Sequence, residues 1–159
     1  MNIFYYLFSL VLMLTLDGLW IGTNKAMYRG AAESIQRQPM KINVLATFLA
    51  YVLLYAAIVV LALPTVAATP DQRQTKDMVF SIFKKSVWHG GRLGFAVYGV
   101  YNLTTKAILH KYPWKVCAMD TLWGTVMFTL VCFFSVLLTK SCKHRGKCWT
   151  DARPLQNKK

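Results

Sequence analysis

Long runs of apolar residues separated by short polar and basic segments dominate this chain of 159 residues. The runs at 3–23, 42–63 and 116–139 each approach the roughly 20 residues that a helix needs to cross the hydrocarbon core of a bilayer. A fourth run, at 87–109, is more polar but similarly long. The pattern predicts an all-α integral membrane protein: a four-helix transmembrane bundle with short loops in residues 1–140, followed by a flexible basic tail at 141–159.

The segments between the runs predict loops and one surface helix. Residues 24–41 are polar and basic, which predicts a loop, and residues 64–77 predict a second loop that Pro64 opens. Residues 78–88 are apolar and then dibasic, which is typical of an amphipathic helix in the membrane interface. A short turn is expected at 110–115.

The third span, residues 87–109, is the least suited to lipid because it contains several polar and charged side chains. Gly90 and Gly94 have the GxxxG spacing that lets two helices approach closely. We therefore expect this helix to be the most enclosed of the four. His89 and Arg92 fall near one end of the run and are interpreted as interfacial.

One short pattern occurs twice, and each copy places a carboxylate in an apolar run. Asp17 is followed by Gly-Leu-Trp20, and Asp120 is followed by Thr-Leu-Trp123. Insertion scales give about 2.5–3.5 kcal/mol for Asp at the centre of a membrane helix and less near its ends. Such a residue therefore calls for polar partners inside the bundle.

The polar residues of all four predicted helices fall at one depth if the helices alternate in direction. We call the side that holds the N-terminus side A, and the side that holds 24–41 and 110–115 side B. At 1.5 Å per residue, both aspartates lie roughly 6–9 Å beneath side B. The predicted polar cluster comprises Asp17, Trp20, Asn43, Thr47, Tyr101, Asn102, Thr104, Thr105, Asp120 and Trp123.

Three interpretations of this cluster stay open. It locks the packing of the helices in a structural or assembly protein, it binds a cation, proton or polar headgroup in a small transporter or ligand-binding membrane protein, or it carries out catalysis. Two carboxylates are able to serve as acid and base, but no nucleophile, metal-ligand or cofactor motif accompanies them. An enzyme is therefore the least favoured class, and no cofactor is predicted.

The charge balance indicates a partner other than nucleic acid. The chain carries 19 Lys and Arg against 6 Asp and Glu, a net charge of +13. These charges lie between and after the apolar runs, where they meet anionic lipid headgroups at the loops and tail. More basic residues fall on side A than on side B, which predicts that both termini are cytosolic. A homo-oligomer is left open.

Three residues of the tail, Cys142, His144 and Cys148, are the only candidates for a metal site in the sequence. A closed zinc site needs four ligands, and this segment supplies three, so no metal site is predicted.

The sequence resembles DUF2177, a family of small multi-pass membrane proteins of unknown function. The stretches that carry the resemblance are L-D-G-L-W-I-G with the downstream Tyr28, A-Y-V-L-L-Y, G-F-A-V-Y-G-V-Y-N-L-T-T and M-D-T-L-W-G. The family pattern prefers Asp at the position of Asn102 and Asn at that of Thr105, and this chain departs at both. The resemblance implies four membrane helices and supplies no activity, substrate or cofactor.

Overall fold

The structure is a computed structural model that describes residues 3–68 and 75–144. The described part of the chain is helical and contains five helices. Three segments are long and apolar enough to cross a membrane, namely Ile3–Thr23, Val44–Ala67 and Trp114–Ser141. They correspond to the first, second and fourth predicted spans, and the all-α prediction is confirmed.

Helix α1, Ile3–Thr23, is followed at once by a second helix that the sequence pattern missed. Helix α2, Lys25–Gln36, lies in the segment predicted to be a loop, so that prediction is wrong. Its short apolar face packs against Tyr112, Val116 and Cys117. Tertiary contact of an amphipathic face therefore stabilises a segment that is too polar to be recognised as a helix from composition.

Arg37 caps the C-terminus of helix α2, and its φ of 53° lies in the left-handed region. The Arg37 N–H donates to the carbonyl of Glu33 at 2.9 Å, which satisfies one of the last carbonyls of the helix. Pro39 follows two residues later and prevents the helix from continuing.

Helix α3 is Val44–Ala57, continued by a π-helical turn, Ile58–Ala62, and a final segment, Leu63–Ala67. The sequence predicted a loop from Pro64, because proline clashes with the carbonyl four residues back in a regular helix. The π-helical turn, in which Leu63 N–H bonds to Ile58 O, widens the helix immediately before the proline. The helix therefore passes Pro64 instead of ending there.

Helix α4 is continuous from 75 to 108: Thr75–Lys85, a π-helical turn Ser86–Gly91, and Arg92–Ile108. The predicted interfacial helix and the predicted third span are thus one element. This element is not among the three apolar candidates for membrane spans. Helix α5, Trp114–His144, extends past the predicted tail boundary. The tail prediction for 145–159 lies outside the described residues.

Glycines allow close contact between the antiparallel helices α4 and α5. A Cβ on Gly90 would lie 2.8 Å from the Phe128 carbonyl oxygen, and one on Gly94 would overlap the backbone of Gly124. The ring of Tyr98 covers Gly124 so closely that a Cβ there would overlap it. The predicted GxxxG therefore lies at a true helix–helix contact.

Helices α1 and α4 both pack along α5, whereas α3 joins them over only part of its length. Its second half is buried through Ile58, Ala62, Leu63 and Val66. Every residue from 41 to 50 is exposed, and Tyr51 is the first residue of α3 that is not. The N-terminal half of α3 therefore stands clear of the other helices on side B, beside the polar cluster.

Candidate functional site

Asp120, in the second turn of α5, accepts hydrogen bonds from two other elements. The Tyr28 hydroxyl donates to Oδ1 at 2.5 Å, and the Asn102 amide donates to Oδ2 at 2.8 Å. Asp120 is 9% exposed and Asn102 is fully buried. The carboxylate of α5 thus ties α2, through Tyr28, to the last turns of α4.

Asp17, in the last two turns of α1, has a separate pair of donors. The Tyr51 hydroxyl donates to Oδ2 at 2.6 Å, and the Trp123 indole donates to Oδ1 at 3.2 Å. Asp17 is 6% exposed. Its carboxylate therefore joins α1 to α3 and to α5, and Tyr51 lies where α3 first meets the bundle.

The two tryptophans of the repeated pattern lie face to face between the carboxylates. Their ring centroids are 4.6 Å apart and their planes differ by 4°. Trp123, on the helix of Asp120, donates to Asp17, while Trp20, on the helix of Asp17, donates to Tyr28 at 2.8 Å and so supports the donor of Asp120. The tryptophan of each copy therefore stabilises the carboxylate of the other copy, Trp123 directly and Trp20 through Tyr28.

Asn102 is held in one orientation by three hydrogen bonds. Its side-chain oxygen accepts from the Tyr112 hydroxyl at 2.7 Å, and its amide nitrogen donates both to Asp120 and to the Tyr98 carbonyl, the latter at 2.9 Å. A carbonyl oxygen only accepts and an amide nitrogen only donates. The amide must therefore present its donor to Asp120.

Neutral groups supply every hydrogen bond that the described residues give to the two carboxylates. Arg29, next to Tyr28 in the chain, pairs with Glu33 at 2.8 Å, and Lys106 donates to the His110 carbonyl at 2.8 Å beside the Trp114 ring. Among the described residues, no Lys, Arg or His side chain forms an ion pair with Asp17 or Asp120.

Two of the tyrosines lie outside the membrane-spanning helices and have perturbed acidities. Burial, followed by the hydrogen bond to Asp120, raises the pKa of Tyr28 well above its ordinary value. Burial, followed by the charge of Asp120, does the same to the pKa of Tyr112. Both hydroxyls therefore remain protonated donors at neutral pH.

The structure brings together five of the ten residues predicted for the cluster, which are Asp17, Trp20, Asn102, Asp120 and Trp123. We call these five, with Tyr28, Tyr51 and Tyr112, the polar layer. Both aspartates lie in this layer, in agreement with the similar depth predicted for them from the sequence.

The other five predicted residues lie outside the polar layer. Asn43 caps α3, where its Oδ1 accepts from Ala46 N at 3.1 Å, and the Thr47 hydroxyl donates to the Asn43 carbonyl. Tyr101 is 60% exposed. The hydroxyls of Thr104 and Thr105 donate to carbonyls of their own helix, as threonine often does. A shared depth along the helices was therefore not sufficient to bring these five side chains to the two aspartates.

Sequence reasoning missed the three tyrosines of the polar layer. The predicted cluster included neither Tyr51 nor Tyr112, and Tyr28 entered the sequence analysis only as part of the family resemblance. The available signal was chemical: two carboxylates without cations need neutral donors, and a tyrosine hydroxyl is a donor with a long reach.

Metal ligands are not gathered anywhere in the described part of the chain, where no group of three His, Cys, Asp or Glu side chains is close enough to hold an ion. The tail candidates Cys142, His144 and Cys148 fall outside the side chains that the structure describes.

Comparison with known proteins places the chain in a family. No curated protein and no solved structure shows significant similarity to it. A family model described as a predicted membrane protein, DUF2177, matches residues 2–137, a range that includes both copies of Asp-x-Leu-Trp and every residue of the polar layer. The expected resemblance is confirmed, and the chain belongs to the DUF2177 family of membrane proteins.

Proposed function

We propose that this membrane protein binds a proton or a small monovalent cation at the polar layer, and that four helices, α1, α3, α4 and α5, cross the bilayer around it. The observation that carries the proposal is the pair of buried carboxylates, Asp17 and Asp120, whose donors are all neutral. Two ionised carboxylates in a low-dielectric layer repel each other and are costly. One bound positive charge offsets much of that cost.

The fourth crossing rests on the contact between α4 and α5. Gly90 and Gly94 meet Phe128 and Gly124 at backbone distance, and Asn102 meets Asp120, so α4 runs antiparallel to α5 over most of a membrane thickness. A helix that lies along a spanning helix over this length passes through the same depths. Hydropathy alone does not identify α4 as a membrane span, because its polar residues lower its mean hydropathy.

The position of α3 supplies a route to the polar layer. Its N-terminal half has no buried residue, and it first contacts the layer through the Tyr51–Asp17 hydrogen bond of 2.6 Å. A swing of this half of α3 would break that bond and uncover Asp17, while the buried second half around Ile58 and Leu63 stays packed. Binding at the layer and movement of α3 are thereby coupled, as transport requires.

The test is ion flux into liposomes that contain the purified protein, measured separately for protons, sodium and potassium. The double variant Asp17→Asn, Asp120→Asn is expected to lose about tenfold or more of the flux, equivalent to about 1.4 kcal/mol or more. Asp77→Asn is the matched control, because Asp77 is an exposed acid at the start of α4. A folded double variant with unchanged flux would contradict the proposal.

A second candidate, a structural or assembly protein, is favoured by one observation: all four carboxylate oxygens of Asp17 and Asp120 already accept a hydrogen bond. In that case the layer only fixes the helix packing. Asp120→Asn would then lower the melting temperature in detergent equally with and without added cation. A cation-dependent rise in melting temperature that the variant abolishes would count against this candidate.

Four crossings place both termini on one side of the membrane, and the excess of basic residues on side A assigns that side to the cytosol. This topology and the contacts of the basic loops with anionic headgroups are parts of the same proposal. A homo-oligomer is compatible with it.

A further inference from the structure

Arg92 lies at the centre of the membrane if α4 crosses alongside α5, as proposed above. Gly90 faces Phe128 and Gly94 faces Gly124, so Arg92 is level with the residues between them. Those residues fall in the middle of the candidate span Trp114–Ser141. The register therefore differs from the sequence interpretation, which put Arg92 near the interface.

The side chain of Arg92 points away from the bundle. Successive residues of a helix are about 100° apart, so a residue two positions from both Gly90 and Gly94, which face α5, lies on the opposite side. Arg92 is exposed, and its guanidinium lies 4.4 Å from the centre of the Trp88 ring. Trp88 and Phe95 beside it are each 60% exposed.

Neither water nor lipid headgroups reach this place readily. A charged side chain at the centre of a membrane helix is unfavourable on insertion scales. The contact with Trp88 directs the guanidinium one turn, about 5.4 Å, towards side A, which still leaves it several ångströms inside a core about 30 Å thick. The attraction of the guanidinium to the indole ring offsets part of that unfavourable energy.

We propose that the outer face of α4 formed by Trp88, Arg92 and Phe95 is a docking surface for a transmembrane helix of another protein, one that carries a carboxylate at mid-membrane depth. Charge complementarity selects this partner, because only a carboxylate in a helix supplies an anion at that depth. A symmetric contact between the α4 helices of two copies would place Arg92 against Arg92. The buried acids of a second copy, Asp17 and Asp120, are already bonded internally.

The experiment measures fluorescence energy transfer between the labelled protein and a polyleucine transmembrane peptide in vesicles of phosphatidylcholine. One peptide carries a central Glu and its matched control a central Gln. The Glu peptide is expected to associate about tenfold more tightly than the Gln peptide, equivalent to about 1.4 kcal/mol. Arg92→Leu should abolish the difference, and Arg92→Glu should reverse it in favour of a peptide with a central Lys. Lys84→Leu, two turns away on α4, should leave it intact.

Equal association of the Glu and Gln peptides, or a Glu preference that survives Arg92→Leu, would overturn the proposal. So would loss of the preference when phosphatidylglycerol is added, because a lipid phosphate would then neutralise Arg92. A melting curve is recorded for each variant to test that it is folded.

The inference rests on four membrane crossings, so the depth of α4 is measured separately. A fluorescent amino acid incorporated at position 95 is quenched by lipids brominated at known positions along the acyl chain. Deep quenching without a Glu preference would remove the docking proposal and leave the four crossings standing. Quenching only near the headgroups would remove both, while the flux of the Asp17 and Asp120 variants tests ion binding independently.

Discussion

The rings of Trp20 and Trp123 stack with their centroids 4.6 Å apart, although 102 residues separate them in the chain. Each indole supports the carboxylate of the other copy of the repeated pattern: Trp123 donates to Asp17, and Trp20 supports Asp120 through Tyr28. The two copies of Asp-x-Leu-Trp thus form one cross-braced unit between antiparallel helices. Neither copy satisfies its own carboxylate.

Trp123→Phe tests this cross-bracing because it keeps an aromatic ring and removes the indole donor. Asp17 then loses one of its two hydrogen bonds, and an unsatisfied buried acceptor destabilises by about 1–3 kcal/mol. We expect a lower free energy of unfolding in detergent by this amount. Trp114→Phe, which alters an exposed ring, is the control and should have little effect. A stability of Trp123→Phe equal to that of the control would argue against a hydrogen bond from the indole.

Alkaline pH tests the donors of Asp120. Burial raises the pKa of Tyr28, and that of Tyr112, above the ordinary value of 10.0. Because the pKa is higher in the folded state, the folded protein keeps a tyrosine proton that the unfolded chain loses. The two tyrosines therefore contribute to stability below pH 10, and this contribution declines above pH 10. We expect the melting temperature to fall from pH 9.5 to 11, a range set about that ordinary value.

Tyr28→Phe should melt lower than the native protein at neutral pH, because Asp120 loses a donor, and should show a shallower decline above pH 10. Tyr101→Phe is the matched control, since Tyr101 is 60% exposed and outside the polar layer. An alkaline decline of unchanged slope in Tyr28→Phe would show that other groups cause it.

Periodicity and the energetics of burying charge predicted the apolar spans and a polar layer that contains both Asp17 and Asp120. They did not predict which other polar residues join it, because residues at the same depth still differ in the direction of their side chains. Thr104 satisfies its hydroxyl within its own helix. Tyr28 enters the layer only because α2 folds back over α5, a tertiary contact that no local pattern contains.

The helix in residues 24–41 and the passage of α3 through Pro64 escaped prediction for a related reason. The polarity of 24–41 indicated a loop, but packing on Val116 stabilises a helix there. Pro64 indicated a helix end, but a π-helical turn before the proline lets α3 continue.

Gly94→Ala tests the contact that sets the register of α4 against α5. An added Cβ would overlap the backbone of Gly124, which cannot move aside as a flexible side chain does. Overpacking of this kind typically destabilises by about 1–3 kcal/mol. The control is Gly22→Ala in α1, where the added carbon meets open space. We expect the melting temperature to fall for Gly94→Ala only. Similar melting of the two variants would mean that α4 and α5 are farther apart.

Asn102→Asp tests the charge balance of the polar layer. The substitution replaces the amide that donates to Asp120 at 2.8 Å with a second carboxyl group at the same place. If both groups are ionised they repel each other, whereas one shared proton restores a hydrogen bond between them. The variant is therefore expected to be less stable than the native protein at pH 8 and to recover as the pH falls to about 5, near the ordinary range of carboxyl groups.

The measurement is the melting temperature of Asn102→Asp and of the control Asn102→Leu at both pH values. Asn102→Leu also removes the donor to Asp120 and the acceptor of Tyr112, but it adds no titrating group. Its deficit should therefore change little between pH 8 and pH 5, while that of Asn102→Asp shrinks. If the melting temperatures of the two variants change equally between pH 8 and pH 5, the polar layer tolerates a third carboxylate without taking up a proton. That result would weaken the proposed binding of a positive charge between Asp17 and Asp120.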